Sequence, residues 1–339
     1  DGSRRMTVLP GMPSTFFETN NRGVKSVTLN LKHPQGKAMF LEMVKKADIV
    51  AENQAPGAME KFGLDYESVR KSNPEVIYCS ITGFGPGPDE DRPGYDFLVQ
   101  ARGGVMGITG QPGGEPTKVG VAIADIVCGL FASNAILAAL HRRSVTGEGA
   151  RIEVPLFEST LGWLANRGQE YLTSGEETGL IGNAHPSIVP YQTFDASDKP
   201  LVLAVGNNTQ FANLCVAIGR PELAEDERFA TNPDRVANRE ALILELQRAF
   251  GERPADALED AGAKQQRAHL RTPSRRVDVR EVAPVGAAHH PVLVLGATGK
   301  TGGRVMQRLQ ARGVPTRAGS RTARPPFDWS DPDTWAPAL

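Results

Sequence analysis

Between residues 24 and 82 the chain changes its hydrophobic period repeatedly, and this alternation limits the fold more than any other feature. "VKSVTLNLK" (24–32) alternates apolar and polar residues like a half-buried strand. "HPQGKAMFLEMVKKADIV" (33–50) reads as a helix with Pro34 at its start, running into a second strand at "ADIV". "AENQAPGAMEKFGLDYESVRKSNP" (51–74) holds a loop and a short helix stopped by Asn73–Pro74, and "EVIYCSITGFG" (75–85) is the third strand. Strand, helix, strand, helix, strand predicts an α/β fold with a parallel sheet.

The most informative residue follows. "VGVAIADIVCGLFASNAILAAL" (119–140) is an apolar stretch interrupted by a single acid, Asp125. A carboxylate left dry and unpaired in such surroundings costs several kcal/mol. The grammar predicts a strand "VGVAIA", then Asp125, then a helix over 126–142 that ends in His141, Arg142 and Arg143. An Asp directly before a long helix is a favoured N-cap. The same place also suits a nucleophile, held rigidly and facing the helix N–H groups.

Further on, 149–172 reads as a strand then a helix, and 183–194 with 200–208 as a hairpin-like pair. Residues 209–223 and 238–251 read as amphipathic helices. From Ala263 to His290 the chain is basic and without a clean period, as in a linker or junction. Residues 291–313 look like a strand, a Gly-rich turn and a helix. The expected division is a large domain over 1–150, a small one over 151–262, the junction 263–290 and a fragment over 291–339.

Composition excludes some classes. A formal net charge of -1 gives no global case for nucleic acid or an acidic membrane. Three isolated cysteines, Cys79, Cys128 and Cys215, offer no metal-ligand spacing and read as buried thiols in a reducing compartment. The apolar run after Asp125 contains Ser133 and Asn134. It falls short of the roughly 20 apolar residues of a membrane span, so a cytoplasmic protein is expected.

The ordered series "KSVTLNLKHPQGKAMFLEMVKKADIVAENQAPGAMEKFGLDYESVR", "NPEVIYCSITGFGPGP", "RPGYDFLVQA" and "ADIVCGLFASNAILAALHRRSVTGEGARIEVPLFES" resembles the family III CoA-transferases (CaiB/BaiF type). "GNAHPSIVPYQTF" and "LVLAVGNNTQFANLCVAIGRPELAEDERFATNPDRVANR" are similar to that family's smaller domain, so the resemblance covers about 14–262. It implies a Rossmann-like large domain joined to a smaller α/β domain, and two chains interlocked as a homodimer. The family opens with a strand, a helix and a strand ahead of "KSVTLNLK"; by that comparison the large domain here lacks its first strand–helix unit.

The resemblance makes Asp125 the nucleophile of CoA transfer from an acyl-CoA to a carboxylic acid, with Tyr95 and Gln100 beside the reaction centre. It assigns Leu29, Lys32, Asn53, Gln54, Lys61 and Phe62 to the CoA site and Gly206 to a glycine loop near the aspartate. Related α-methylacyl-CoA racemases place a histidine where this chain has Tyr95. Two-base proton transfer needs a group that titrates near neutrality, so transfer is favoured over racemisation. The turn His185 reads as structural. "VLVLGATGKTGGRV" resembles the start of an NmrA-like NAD(P)-binding domain. Gly296, Gly299 and Gly302 then form a dinucleotide turn, with Arg317 and Arg321 placed for an NADP 2′-phosphate. A non-catalytic CoA- or NADP-binding remnant is the third reading.

Overall fold

Tyr78 and Cys79 are neighbours in a strand, so their side chains point to opposite faces. Both are buried, and each belongs to a different core. The computed structural model describes residues 2–6, 11 and 14–264, and the strands at 269–271, 292–295 and 316–319. In chain order the first elements are α1 (Thr15–Asn20), α2 (Pro34–Val44), β1 (Ile49–Glu52), α3 (Ala58–Phe62), α4 (Tyr66–Arg70) and β2 (Ile77–Thr82). They are followed by α5 (Asp96–Arg102), α6 (Ile123–Thr146), β3 (Ala150–Pro155), α7 (Leu156–Trp163) and α8 (Ala165–Ser174).

β1, β2 and β3 form a parallel sheet in that order. Val44, Val50, Met59, Leu64, Val69, Val76 and Tyr78 close the face under α2, α3 and α4. Cys79, Val99, Ala124, Cys128, Ala132, Val154 and Leu156 close the face under α5, α6 and α7. The parallel α/β expectation therefore holds. β3, which a boundary at 150 assigns to the smaller domain, pairs along its length with β2.

Two expected strands are absent. Residues 24–30 run without a ladder, and Val24 and Val27 stand exposed. Alternation alone does not make a strand where no neighbour offers its N–H and C=O groups. "VGVAIA" is not a strand either, because the Val119 N–H goes to the Gln100 side chain at 2.9 Å. An unanticipated helix, α1, starts at Ser14, whose Oγ accepts from Phe17 N at 3.1 Å and donates to Met6 O at 2.8 Å.

α6 is held at both ends. At its C-terminus, Arg143 Nη2 pairs with Asp48 at 2.6 Å and its Nη1 reaches the carbonyls of Asp48 and Glu75. Gly147 (φ 73°) then ends the helix. The helix has 24 residues and an 18-residue window of mean hydropathy 2.0, with 22 % of that window buried. By length and composition alone it could cross a membrane, which corrects the expectation that this run falls short. Ile126, Leu130, Phe131 and Leu137 leave an apolar face uncovered.

The antiparallel pair β4 (Tyr191–Asp195) and β5 (Pro200–Ala204) is the expected hairpin, extended by β6 (His269–Arg271). It packs with α9 (Asn208–Ala217), α10 (Glu222–Glu225), α11 (Asn232–Ala237), α12 (Arg239–Gly251) and α13 (Ala255–Lys264) around Phe194, Phe211, Phe229 and Phe250. Arg235 sits fully buried there. It donates to Val189 O at 2.7 Å, Phe229 O at 2.9 Å and Asn208 Oδ1 at 2.9 Å, and lies 4.5 Å from the Phe211 ring centre. Each of its three nitrogens has a partner, as a buried cation requires.

Residues 1–273 form one compact unit and 274–339 a second. In the second, β7 (Val292–Leu295) and β8 (Thr316–Gly319) pair in parallel. Gly296, Gly299, Gly302 and Arg321 lie outside the described residues, and so does the side chain of Arg317.

Candidate active site

The sheet's three strands all end at one cleft of about 1080 Å³. Asn53 and Gln54 follow β1, Thr82 and Gly83 end β2, and Leu156 follows β3; Asp125 and Cys128 of α6 complete the inner wall. Crevices at the carboxyl ends of parallel strands are the ligand sites of open α/β sheets, because the adjoining loops are free to vary there. Thr15, Phe16, Thr19 and Asn20 of α1 form part of the outer lip. Asn53 and Gln54 also border a neighbouring hollow of about 380 Å³, lined with Leu31, Phe40, Met43 and Met59.

Glycines set the loop that closes the cleft. Gly83 and Gly94 lie backbone to backbone: a Cβ on Gly94 would stand 2.2 Å from Gly83 Cα. Only residues without a side chain allow this crossing, which brings Arg92, Pro93 and Tyr95 over the end of β2. Arg102 pairs with Asp89 and lies 5.6 Å from the Phe84 ring centre, fastening the same loop from α5.

Asp125 is not the N-cap. α6 begins two residues earlier, at Ile123, behind Ala122, which has no capping side chain. The missing cap comes from another helix: Asp96 Oδ1 accepts from Ala124 N at 2.9 Å. Asp96 Oδ2 accepts from Gln100 Nε2 at 2.8 Å, and Gln100 Oε1 accepts from Val119 N at 2.9 Å. Asp96 thus takes the N-cap task, and sequence reasoning passed over it. Its one local sign is its place beside Tyr95 in "RPGYDF".

With the cap supplied from α5, Asp125 is left to the cleft. Its carboxylate has no hydrogen-bond or ion-pair partner among the described residues, and its side chain is exposed rather than sealed in. The first turn of a helix favours a carboxylate. Even so, packing against the cleft floor and, second, the Asp96 carboxylate push Asp125 above its ordinary value. The arrangement is an unpaired acid of raised basicity at the end of a rigid helix, open to a hollow large enough for a sizeable ligand.

The other expected site residues divide. Tyr95, Asn53 and Gln54 line the cleft with Asp125. Gln100 does not: it is 0 % exposed and works through Asp96 and Val119. Leu29, Lys32 and Lys61 stand away from the cleft wall, and Phe62 packs on the core beneath α2–α4. Gly206 lies in the turn before α9, its N–H bonded to Gln210 Oε1 at 2.6 Å, and is not part of the wall. His185 Nδ1 accepts from Ser187 N at 3.1 Å and its ring meets Tyr191, a structural role. The three cysteines are buried and free, and no acidic, His or Cys cluster among the described residues could hold a metal.

Comparison with known proteins identifies the family. The profile of CoA-transferase family III matches residues 1–323. That span crosses the expected junction and reaches the Gly-rich turn, and it gives an NmrA-like or NADP-binding fragment no support. An acetyl-CoA:oxalate CoA-transferase of Acetobacter aceti is 43 % identical over 268 residues, covering 77 % of this chain and 69 % of that protein. A succinate–glutarate CoA-transferase of Agrobacterium fabrum is 46 % identical over 229 residues, covering 67 % of this chain and 57 % of that protein. The chain therefore spans little more than half to about two thirds of these relatives. A CaiB/BaiF family protein of Brucella suis superposes with a TM-score of 0.69 at 43 % identity, covering 81 % of this chain and 74 % of that one. Family profile, relatives and fold agree: the chain belongs to CoA-transferase family III.

Proposed function

We propose that the protein transfers coenzyme A from an acyl-CoA to a carboxylic acid, with Asp125 as the nucleophile. The observation that carries this reading is the Asp125 carboxylate, unpaired and open to the cleft at the strand ends. Its raised basicity strengthens it as a nucleophile, and covalent capture divides one difficult exchange into easier steps. The carboxylate attacks the thioester carbonyl, forming an aspartyl–acyl anhydride and releasing the CoA thiolate. The thiolate attacks the aspartyl carbonyl, giving an aspartyl-CoA thioester and the free donor acid. The acceptor carboxylate attacks that thioester, again releasing the thiolate. Thiolate attack on the acceptor's carbonyl then forms the new acyl-CoA and restores Asp125.

The rest of the cleft suits this chemistry. Asn53 and Gln54 sit where the cleft meets the apolar hollow, a path for the pantetheine arm toward a slot that would take the adenine. The described wall contains no histidine. Tyr95 in place of one leaves racemisation without its second base. The uncovered apolar face of α6, together with Leu161 and Trp163 of α7, supports a homodimer in which a second copy covers it.

The test is to incubate the chain with acetyl-CoA or succinyl-CoA and a dicarboxylate acceptor, and to follow the new thioester by mass. Hydroxylamine added during turnover should leave a hydroxamate on Asp125, and Asp125→Ala should abolish transfer. Transfer at the wild-type rate by Asp125→Ala would refute the assignment.

A further inference from the structure

Among the described residues one buried side-chain polar atom has no hydrogen-bond partner, Thr82 Oγ1. Thr82 is the last residue of β2 and part of the cleft wall that holds Asp125. Leaving a buried hydroxyl unsatisfied costs about 1–3 kcal/mol. A valine, of nearly the same shape, would fill the position without that cost, so packing gives no reason for the hydroxyl.

The neighbours narrow its use. Ile81, Val121, Ala122, Ile126, Cys128 and Leu156 make the inner wall around Thr82 and Asp125 largely apolar. The amide side chains of Asn53 and Gln54 belong to exposed residues. The Thr82 hydroxyl oxygen is buried in this wall. A step of about 120° about χ1 carries Oγ1 to the place of Cγ2 and Cγ2 to the place of the Cβ hydrogen, and the contact inferred below uses the staggered well that brings the hydroxyl to the cleft.

We propose that Thr82 Oγ1 is a substrate-binding donor, hydrogen-bonding the carbonyl oxygen of the thioester that Asp125 attacks. The hydroxyl keeps its proton; it orients the carbonyl and supports the negative charge that grows on its oxygen. The inference rests on the CoA-transfer reading and adds a residue to it.

The test compares two probes, coenzyme A and acetyl-CoA, which differ by the carbonyl in question. Titration calorimetry is run in the Asp125→Asn background, where no transfer proceeds. Adding Thr82→Val should weaken acetyl-CoA binding about tenfold, the worth of one hydrogen bond, and leave coenzyme A binding unchanged. Thr82→Ser should recover acetyl-CoA binding to within about twofold. Urea unfolding should show Thr82→Val to be at least as stable as its parent, since it removes an unpaired polar group. Unchanged acetyl-CoA affinity in Thr82→Val overturns the inference and leaves the transfer reading standing. Equal losses for both probes also overturn it, because they mark a damaged pocket. A parent that binds neither probe overturns both.

Discussion

Asp96→Asn is nearly isosteric, yet the structure makes it costly. Asp96 is an acceptor at both oxygens: Oδ1 takes the Ala124 N–H and Oδ2 takes the Gln100 amide. Gln100 is committed in turn, because its Oε1 takes the Val119 N–H. The substituted side chain is an amide, which brings two donors and one acceptor. If its oxygen caps Ala124, its nitrogen faces the Gln100 nitrogen. Flipping Gln100 cures that clash and turns its nitrogen onto the Val119 N–H. Flipping the new amide instead turns its own nitrogen onto the Ala124 N–H. In each arrangement two donors meet and one hydrogen bond is lost.

Gln100 is 0 % exposed, so water does not replace the missing partner. The loss is about 1–3 kcal/mol, at the upper end if the charge-assisted bond goes. Relief of repulsion on Asp125 offsets part of it, but Asp125 is exposed and that relief is screened. The expected net destabilisation is about 1–2 kcal/mol. It is measured as a fall in the urea midpoint with unchanged slope. The acid limb of the transfer rate should also move to lower pH, because Asp96 is, after burial, the second cause that raises Asp125. A midpoint shift worth less than about 0.3 kcal/mol, together with an unmoved acid limb, would show that the Asp96–Gln100 network does not hold α6 as described.

Two further outcomes are expected. Asp125 has a native pKa raised above its ordinary value of 3.8, so the native state binds its proton more tightly than the unfolded one. Its contribution is favourable below the unfolded value and is lost as pH rises through the native one. Asp125→Asn should therefore gain stability over wild type at pH 7 and lose that advantage in acid, read by urea midpoints at the two pH values; an equal difference at both would contradict the raised pKa. Light scattering should give twice the monomer mass in solution, and a monomer at micromolar concentration would remove the dimer from the account.

What the sequence disclosed follows from how far apart the interacting groups lie. Asp125 was legible because it is a local anomaly, a single acid in a long apolar run. The parallel sheet was legible because "ADIV" and "EVIYCSIT" carry their own period and are separated by helix-forming segments. "VGVAIA" carried the same kind of signal and misled. What decides its state is a side chain nineteen positions earlier, which takes the Val119 N–H that a sheet neighbour would have used. The cap of α6 comes from twenty-eight positions earlier for the same reason. Gln100 read as a residue beside the reaction centre, since nothing local marks a helix position as wholly buried.

These displacements share one physical cause, and it bears on the function. A carboxylate used as its own helix cap would be hydrogen-bonded to backbone N–H groups and held below its ordinary pKa, which makes it a poor nucleophile. By moving the cap to Asp96, the fold frees Asp125 from that bond and places a second negative charge beside it. Burial against the cleft floor first, and the Asp96 charge second, then raise its basicity. The expectation that one residue would serve as cap and nucleophile at once asked for two incompatible environments. The structure gives the cap to Asp96 of α5, which Gln100 fixes, and leaves Asp125, the nucleophile proposed above, free of that bond.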